Sequence, residues 1–237
     1  MSVANRTICT KYKSGYGAVR YAHHTLHKHT VRANPMTDTT TQIDFIRHGE
    51  PLGGKRYRGQ IDDPLSETGW QQMWHAVGDA APWQQIITSP LARCQAFAAA
   101  LAERHALPIV SDARLMEIGF GIWEGRTAEQ LRAEDPQQIE RFYQDPINAR
   151  PQGAEPLAEF RARVIAGFND LARTYQHQHV LVVCHAGVMR AVVAHVLGAP
   201  LESIYRIDVA YAAITRVRFS RERPPTLVSH AGCRINE

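Results

Sequence analysis

The chain has 237 residues, 44% of them hydrophobic, so it can bury a sizeable core and is not expected to be disordered throughout. Its formal charge is +4, but six basic residues and no acidic one lie in the first 35 positions, which leaves residues 36–237 with a net charge of −2. No apolar run reaches the ~18 to 20 residues of a membrane span, and the four cysteines lie far apart without a C-x-x-C pair. These features argue against a membrane-spanning protein and a disulfide framework, and they favour a cytoplasmic location.

Residues 1–41 form a polar, basic segment with neither helical nor strand periodicity, and we expect it to be disordered. An organellar transit peptide is one alternative, and a natural start at Met36 is another. The segment also holds four closely spaced histidines, for which an unpacked tail is a better explanation than a metal site: His23, His24, His27 and His29. Binding of nucleic acid by this tail is a hypothesis that we do not favour, because the rest of the chain is slightly acidic.

From residue 42 onward, short apolar strands alternate with amphipathic helices, which is typical of an α/β domain with a mostly parallel sheet. We predict one domain over residues 42–237, in which residues 120–155 form an insertion of short helices. Strands are predicted over residues 42–47, 85–88, 107–111, 179–184 and 211–219. Helices are predicted over about 67–80, after Ser89-Pro90 with Ser89 as the cap, from a Thr127–Gln130 capping box, over about 156–176, and after Gly187.

Charged side chains follow three of the predicted strands. The first strand runs into Arg47 and His48, a later one runs into His185, and Arg93 lies in the first turns of the helix that follows the second strand. Ligands of open parallel sheets bind beyond the carboxyl ends of the strands, so we expect these four residues to converge there. Each residue alone has an ordinary structural explanation, and only the combination favours a functional site.

Two guanidinium groups suit an oxyanion, and the helix N-termini after Ser89 and Gly187 add backbone N–H donors, so the expected ligand is a phosphate group. A neutral imidazole is a competent nucleophile toward phosphorus if a carbonyl oxygen fixes its other ring nitrogen. His48, which precedes Gly49, is the candidate. A carboxylic acid would then protonate the departing alkoxide.

The segments that carry these residues resemble those of the histidine phosphatase superfamily, which includes cofactor-dependent phosphoglycerate mutases and many small-molecule phosphatases. The resemblance covers about residues 42–220. It implies a phosphoglycerate mutase-like fold, a three-layer α/β/α sandwich with a mostly parallel central sheet. The matching segments are 45–50 (nucleophile motif), 89–93 (second arginine), 115–125 (acid-bearing stretch) and 183–187 (second histidine).

The resemblance implies a phosphoric monoester hydrolase in which His48 becomes phosphorylated. Arg47, Arg93 and His185 would hold the phosphoryl oxygens, and His185 counts among the catalytic residues as well. No metal and no other cofactor is implied, since the positive side chains neutralise the phosphate charge. The partner is a small phosphorylated substrate, and the oligomeric state stays open, with a homodimer as one option.

The same resemblance places the general acid at Glu117, which would also deprotonate the water that cleaves the phosphohistidine. Glu50 and Glu124 are rival acids, but Glu50 directly follows the turn and Glu124 fits a supporting role better. The loop of residues 51–59 lacks the Thr and Asn that many members carry. Its basic residues and one glycine form a candidate substrate loop, with a solvated loop as an equal alternative: Lys55, Arg56, Arg58 and Gly59.

A competing motif, C-x-x-G-x-x-R, spans Cys184 to Arg190 and is typical of cysteine-dependent phosphatases. We interpret it as a coincidence, because Val183 and Ala191 depart from that family's pattern and the motif leaves His48 unexplained. Two further alternatives are a cofactor-dependent phosphoglycerate mutase and a phosphate-binding module without catalysis.

The acid-bearing stretch looks more like the phosphatase branch than the mutases. Residues 59–69 and the chain length are similar to bacterial α-ribazole phosphatases of cobalamin biosynthesis, so α-ribazole 5'-phosphate is the specific substrate hypothesis. Three aromatic residues of the insertion are predicted to form either the substrate-side wall or a minor core: Trp123, Phe142 and Tyr143.

Overall fold

Six strands form the central sheet of the computed structural model, which describes residues 40–79, 81–220 and 222–232. The strands are β1 (Thr41–Arg47), β2 (Gln85–Thr88), β3 (Ile109–Ser111), β4 (His179–Cys184), β5 (Ile214–Ser220) and β6 (Arg223–Gly232). Their spatial order is β3-β2-β4-β1-β5-β6. β1 to β4 are parallel, whereas β5 is antiparallel to β1 and β6 is antiparallel to β5. The predicted α/β fold with a mostly parallel sheet is therefore confirmed.

Six α-helices connect and flank these strands. They are α1 (Glu67–Val77), α2 (Ala92–His105), α3 (Ala128–Glu134), α4 (Gln138–Gln144), α5 (Leu157–Thr174) and α6 (Ala186–Val196). The capping box at the start of α3 is present, with the Thr127 side chain accepting from the Gln130 N–H and the Gln130 side chain accepting from the Thr127 N–H. Among the described helices, none has both the length and the hydropathy needed to cross a bilayer.

The helices cover both faces of the sheet, because successive side chains of a strand point to opposite sides. On one face, Phe45 of β1 and Val182 of β4 pack with the buried stripe of α5 and with α6. On the other face, Ile46 and Leu181 pack with α1 and α2. This arrangement confirms the three-layer sandwich. The insertion has a smaller cluster of its own, formed by Trp123, Leu131, Ile139 and Phe142.

Several boundaries differ from the predictions. Ser89 is not the cap of α2, because the N-cap position is Leu91 and the Asp62 carboxylate accepts the Ala92 N–H at 2.5 Å. Helix α6 begins at Ala186 rather than after Gly187. The last predicted strand begins at residue 214 instead of 211, since residues 208–213 form a loop beside the site.

Strand β6 was not predicted, because it carries Pro224 and Pro225, which interrupt the pattern of a strand. Proline is tolerated at the edge of a sheet, where one side of the strand makes no ladder hydrogen bonds, and β6 is an edge strand. The expectations for residues 1–39, namely a disordered tail, its histidine cluster and the start at Met36, lie outside the described residues.

Candidate active site

The carboxyl ends of β1 and β4 bring two histidines together. Arg47 pairs with Cys184 in the register of these parallel strands, and the His48 N–H donates to the Cys184 carbonyl at 2.9 Å. His185 directly follows β4, and its ring centroid lies 5.2 Å from that of His48, edge to face. The predicted convergence of His48 and His185 is therefore observed.

The His48 ring is held in one orientation. Its Nδ1 lies 2.7 Å from the Gly49 carbonyl oxygen, which can only accept, so Nδ1 carries a proton and Nε2 has a free lone pair. Burial lowers the pKa of His48 well below its usual 6.5, and the nearby Arg47 and Arg93 lower it further. The ring is therefore neutral near pH 7, with an unprotonated Nε2, as a nucleophile requires.

Two arginines flank this ring, of which Arg93 is buried and Arg47 is partly buried. Arg47 donates to the Val209 carbonyl at 2.6 Å, and its guanidinium carbon lies 4.1 Å from the ring centroid of Tyr211. Arg93, 1% exposed, donates to the carbonyls of Ile61 at 2.7 Å and Gly59 at 2.8 Å. Within the described part of the chain, neither arginine forms an ion pair, and the Nε of each is buried without a partner. Their positive charge is available to an anion.

Glu117 reaches the site from the loop after β3. Its carboxylate accepts from the Ile118 N–H at 3.0 Å and from the Gly187 N–H, in the first turn of α6, at 3.2 Å. A Cβ at Gly187 would lie 2.2 Å from Glu117 Oε1, so only glycine lets the carboxylate approach this closely. Glu117 and His48 line the same cavity. The carboxyl group predicted as the acid thus shares a cavity with the candidate nucleophile.

The rival acid Glu124 has a structural task. Its Oε1 accepts from the N–H groups of Phe120 at 2.9 Å and Gln60 at 3.1 Å, and so connects two loops. Gly59, with a φ of +53°, passes so close that a Cβ there would lie 1.9 Å from Glu124 Oε1. This geometry agrees with the predicted supporting role of Glu124. The other rival, Glu50, also lines the cavity.

The candidate substrate loop divides into two parts. Arg58 is 7% exposed and pairs with Asp63 at 3.0 Å, and it also donates to the carbonyls of Leu52 at 2.7 Å and Gly54 at 2.5 Å. The charge of Arg58 is thus compensated by Asp63, although Arg58 lines the cavity. Lys55 and Arg56 also line the cavity and are more exposed.

The cavity has a volume of about 1020 Å³ and extends from His48 to the insertion. Its far wall is aromatic, with Tyr57, Phe120, Phe142, Tyr143 and Tyr205 among the lining residues. Of the three aromatic residues singled out in the insertion, Phe142 belongs both to this wall and to the minor core, Tyr143 to the wall and Trp123 to the core.

Tyr211 is a site residue that the sequence analysis missed. It stacks on Arg47 and its ring centroid lies 5.9 Å from that of His48. The available signal was the last predicted strand, because an antiparallel strand begins at the edge where parallel strands end. Without the orientation of β5, the loop before that strand could not be assigned to the site.

The second histidine and the cysteine of the competing motif are both wholly buried. His185 packs edge to face against His48, with its Nε2 2.8 Å from Ser89 Oγ, and it is not among the residues that line the cavity. Burial raises the pKa of the Cys184 thiol well above its usual range, so this residue is a thiol and not a thiolate. Cys184 is not among the residues that line the cavity. This geometry contradicts the cysteine-nucleophile alternative.

No group of three or more His, Cys, Asp or Glu side chains in residues 40–79, 81–220 and 222–232 is arranged to hold a metal ion. The arrangement provides a neutral imidazole, two guanidinium groups that form no ion pair with the described residues, and a carboxyl group within one cavity. These groups are sufficient for nucleophilic and acid–base chemistry on a phosphate ester.

Several known proteins are similar to this chain in sequence and in architecture. Phosphoserine phosphatase 1 of Hydrogenobacter thermophilus is 28% identical over 202 residues, which cover 83% of this chain and 95% of that protein. The α-ribazole phosphatase of Shigella flexneri superposes with a TM-score of 0.70 at 27% identity, covering 82% of this chain and 98% of that one. A mycobacterial glucosyl-3-phosphoglycerate phosphatase, solved with VO3, gives a TM-score of 0.72 at 27% identity, covering 81% and 98%. Residues 43–231 match the histidine phosphatase superfamily (branch 1), and the chain belongs to this family.

Proposed function

We propose that this protein is a metal-independent phosphomonoesterase that acts on a small organic phosphate through a phosphohistidine at His48. One observation carries the proposal: the free Nε2 of a neutral, oriented imidazole lies beside two guanidinium groups, buried Arg93 and partly buried Arg47, that form no ion pair with the described residues. Such a site binds a phosphate dianion and directs a nucleophile at phosphorus. The phosphatases among the similar proteins support the same class of reaction.

In the first half of the reaction, the Nε2 lone pair of His48 attacks phosphorus and the bond to the ester oxygen breaks. A protonated Glu117 gives its proton to the leaving oxygen, which departs as an alcohol. Arg47, Arg93 and His185 hold the phosphoryl oxygens and stabilise the charge of the transition state. The proton of His48 stays on Nδ1, and its hydrogen bond to the Gly49 carbonyl stabilises the ring as it becomes positive.

In the second half, Glu117 takes a proton from a water molecule, whose oxygen attacks phosphorus. The P–N bond breaks, inorganic phosphate leaves, and His48 returns to its neutral form. Glu117 is protonated again and ready for the next turnover. The N–H groups of Ile118 and Gly187 hold the carboxylate in the same place for both steps.

We propose α-ribazole 5'-phosphate as the specific substrate. An aromatic wall in a cavity of about 1020 Å³ suits a leaving group larger than a serine, with a planar ring system. The similar α-ribazole phosphatase from Shigella flexneri supports this choice. We further propose that residues 42–237 act as one catalytic domain in the cytoplasm; the buried free thiols Cys94 and Cys184 agree with a reducing compartment.

The decisive experiment is a panel of phosphomonoesters assayed with and without EDTA. We expect hydrolysis of p-nitrophenyl phosphate that EDTA does not reduce, and the highest kcat/KM for α-ribazole 5'-phosphate over phosphoserine and 3-phosphoglycerate. Strict metal dependence would overturn the mechanism. Faster movement of the phosphoryl group within phosphoglycerate than its release would instead show a mutase, and no turnover at all would indicate a binding module.

The nucleophile is tested by trapping and by a matched pair of variants. After a brief reaction and denaturation, the phosphate bound to the protein should be lost in acid and retained in alkali, as expected for phosphohistidine. Cys184→Ser should remain active and Cys184 should carry no label, whereas His48→Ala should lose both the label and the activity. The opposite result would restore the cysteine mechanism.

A further inference from the structure

His185 has one oxygen partner within hydrogen-bond distance, the Ser89 hydroxyl. Ser89 Oγ lies 2.8 Å from His185 Nε2, and both residues are wholly buried. Ser89 follows β2 and His185 follows β4, and these strands are neighbours in the sheet. Two residues that lie 96 positions apart in the chain are thus fixed against each other by the sheet.

The protons of this pair can be assigned by counting donors and acceptors. Ser89 Oγ has two polar neighbours in the described structure, the Leu91 N–H at 3.3 Å and His185 Nε2. The Leu91 N–H is a donor, so the single hydroxyl proton of Ser89 has one acceptor left, which is Nε2. Nε2 is therefore unprotonated, and the neutral ring carries its proton on Nδ1.

Two other features agree with this assignment. Burial lowers the pKa of His185 well below 6.5, and Arg93 and His48 lower it further, so the ring is neutral and has one tautomer to choose. The neighbouring thiol of Cys94 donates to the Cys184 carbonyl at 3.4 Å, and its sulfur lies 3.8 Å from Nδ1. A thiol sulfur is a weak acceptor, so the Nδ1 proton remains available to a better one.

We propose that Ser89 is a positioning residue whose hydroxyl selects the Nδ1–H tautomer of His185 and thereby gives this ring a proton to donate to a phosphoryl oxygen. The inference rests on the proposed function, in which His185 holds the phosphoryl group. Because Ser89 engages Nε2, a hydrogen bond from His185 to the phosphoryl group has to come from Nδ1, and in the other tautomer that nitrogen has no proton to donate. The hydrogen bond to the phosphoryl group would then be lost in the ground state and in the transition state.

The test uses the full chain, with histidine labelled by ¹⁵N, and three variants. Ser89→Ala removes the hydroxyl, Ser89→Thr keeps it, and Thr88→Val removes a neighbouring buried hydroxyl that donates to the Ser89 carbonyl at 3.0 Å. Long-range ¹H–¹⁵N spectra report which ring nitrogen carries the proton, and the signals of His185 are assigned by their loss in His185→Gln. Steady-state kinetics with p-nitrophenyl phosphate and inhibition by orthovanadate follow phosphoryl binding.

We expect the wild type and Thr88→Val to show a protonated Nδ1 and a bare Nε2. Ser89→Ala should populate the Nε2–H tautomer, lower kcat/KM by about tenfold and weaken vanadate inhibition by about the same factor, since one hydrogen bond to a charged group is affected. Ser89→Thr should show the wild-type tautomer of His185, with kcat/KM and vanadate inhibition within about threefold of the wild type. A purely structural role would lower stability in Ser89→Ala and leave the tautomer unchanged.

The proposal is overturned if Nε2 carries the proton in the wild type, or if Ser89→Ala leaves the His185 signals unchanged. Should Ser89→Ala fail to fold, the wild-type spectrum and the Ser89→Thr variant still decide the tautomer. Failure of the proposed function is a separate result. A wild type that hydrolyses no phosphomonoester would refute the phosphatase, whereas the ring spectrum reports the tautomer without any turnover.

Discussion

The middle and the carboxyl end of β1 place charge in opposite ways. At the middle residue of the strand, the wholly buried Asp44 is paired with Arg216 at 2.7 Å and with His179 at 2.7 Å, and it also accepts from Trp83 Nε1 at 3.0 Å. At the carboxyl end, three residues later, Arg47 donates to a carbonyl oxygen and stacks on Tyr211 but forms no ion pair with the described residues. One strand thus carries a closed ion cluster and an open cationic site.

The difference separates structural charge from functional charge. A buried carboxylate is tolerated when its oxygens are paired, as those of Asp44 are with Arg216, His179 and Trp83. Buried cations without carboxylates cost stability, and a fold retains them where an anionic ligand supplies the missing charge. Perturbing the open end should therefore remove activity, and perturbing the closed cluster should remove stability.

The largest effect is expected at the open end, for His48→Ala. Removing the nucleophile should lower kcat by about 10⁴-fold or more, because no other group on the cavity wall can replace an oriented, neutral imidazole. The midpoint of thermal unfolding should stay close to that of the wild type. Turnover numbers and melting curves measured on the same preparations would check both expectations. Residual activity near that of the wild type would place the nucleophile elsewhere.

The open end was also the part of the molecule that the sequence predicted best. A charged residue directly after an apolar strand can be recognised locally, and the strand ends at Arg47 and Cys184 were predicted to the residue. Parallel strands place such residues at one edge of the sheet, and the pairing of β1 with β4 then puts His48 against His185.

Contacts that depend on long-range pairing could not be predicted. Ser89 has the local signature of a helix cap, and only the neighbouring position of β4 turns its hydroxyl toward His185. Tyr211 enters the site because β5 is antiparallel, and hydrophobic alternation carries no information on strand direction. The Asp44 cluster joins residues from three other segments, so its partners were invisible in the sequence around Asp44.

The second effect is expected for Glu117→Gln, which keeps the shape of the carboxyl group and removes its acid–base function. We expect kcat to fall by about 10³-fold for an alkyl phosphate and by much less for p-nitrophenyl phosphate, whose leaving group needs no proton. Glu124→Gln is the matched control, because its carboxylate accepts from the Phe120 and Gln60 N–H groups. That variant should lose stability more than kcat. An equal loss for both esters in Glu117→Gln would argue against a general acid.

The third effect is expected in the closed cluster around Asp44. Asp44→Ala should lower the free energy of unfolding by about 3 kcal/mol, because Arg216, His179 and Trp83 lose the carboxylate that they share. The kcat of the folded variant should remain within about twofold of the wild type, since Asp44 does not line the cavity. Urea unfolding and steady-state kinetics provide the two measurements. A large loss of kcat with unchanged stability would contradict the structural role assigned to the closed cluster.

The smallest effect is a difference in the pH dependence of stability between His48, at the open end, and Asp44, in the closed cluster. Burial holds the pKa of His48 well below 6.5, so below that pH the unfolded chain binds a proton at this residue that the folded chain does not. The stability of the folded protein therefore decreases as the pH is lowered below 6.5. The wild type should lose stability relative to His48→Gln by up to about 1.4 kcal/mol per pH unit below pH 6.5.

Asp44 should act in a lower window and with the same direction. Burial raises its pKa, but the hydrogen bonds of His179 and Arg216 outweigh this effect and hold the value below 3.8. Its stabilising contribution is present above that pH and is lost as the pH falls through the lowered pKa. The stability difference between the wild type and Asp44→Ala should shrink as the pH falls below about 4. Urea unfolding of the wild type, His48→Gln and Asp44→Ala across the pH range would measure both windows, and a single shared window would show that the two sites on β1 titrate together.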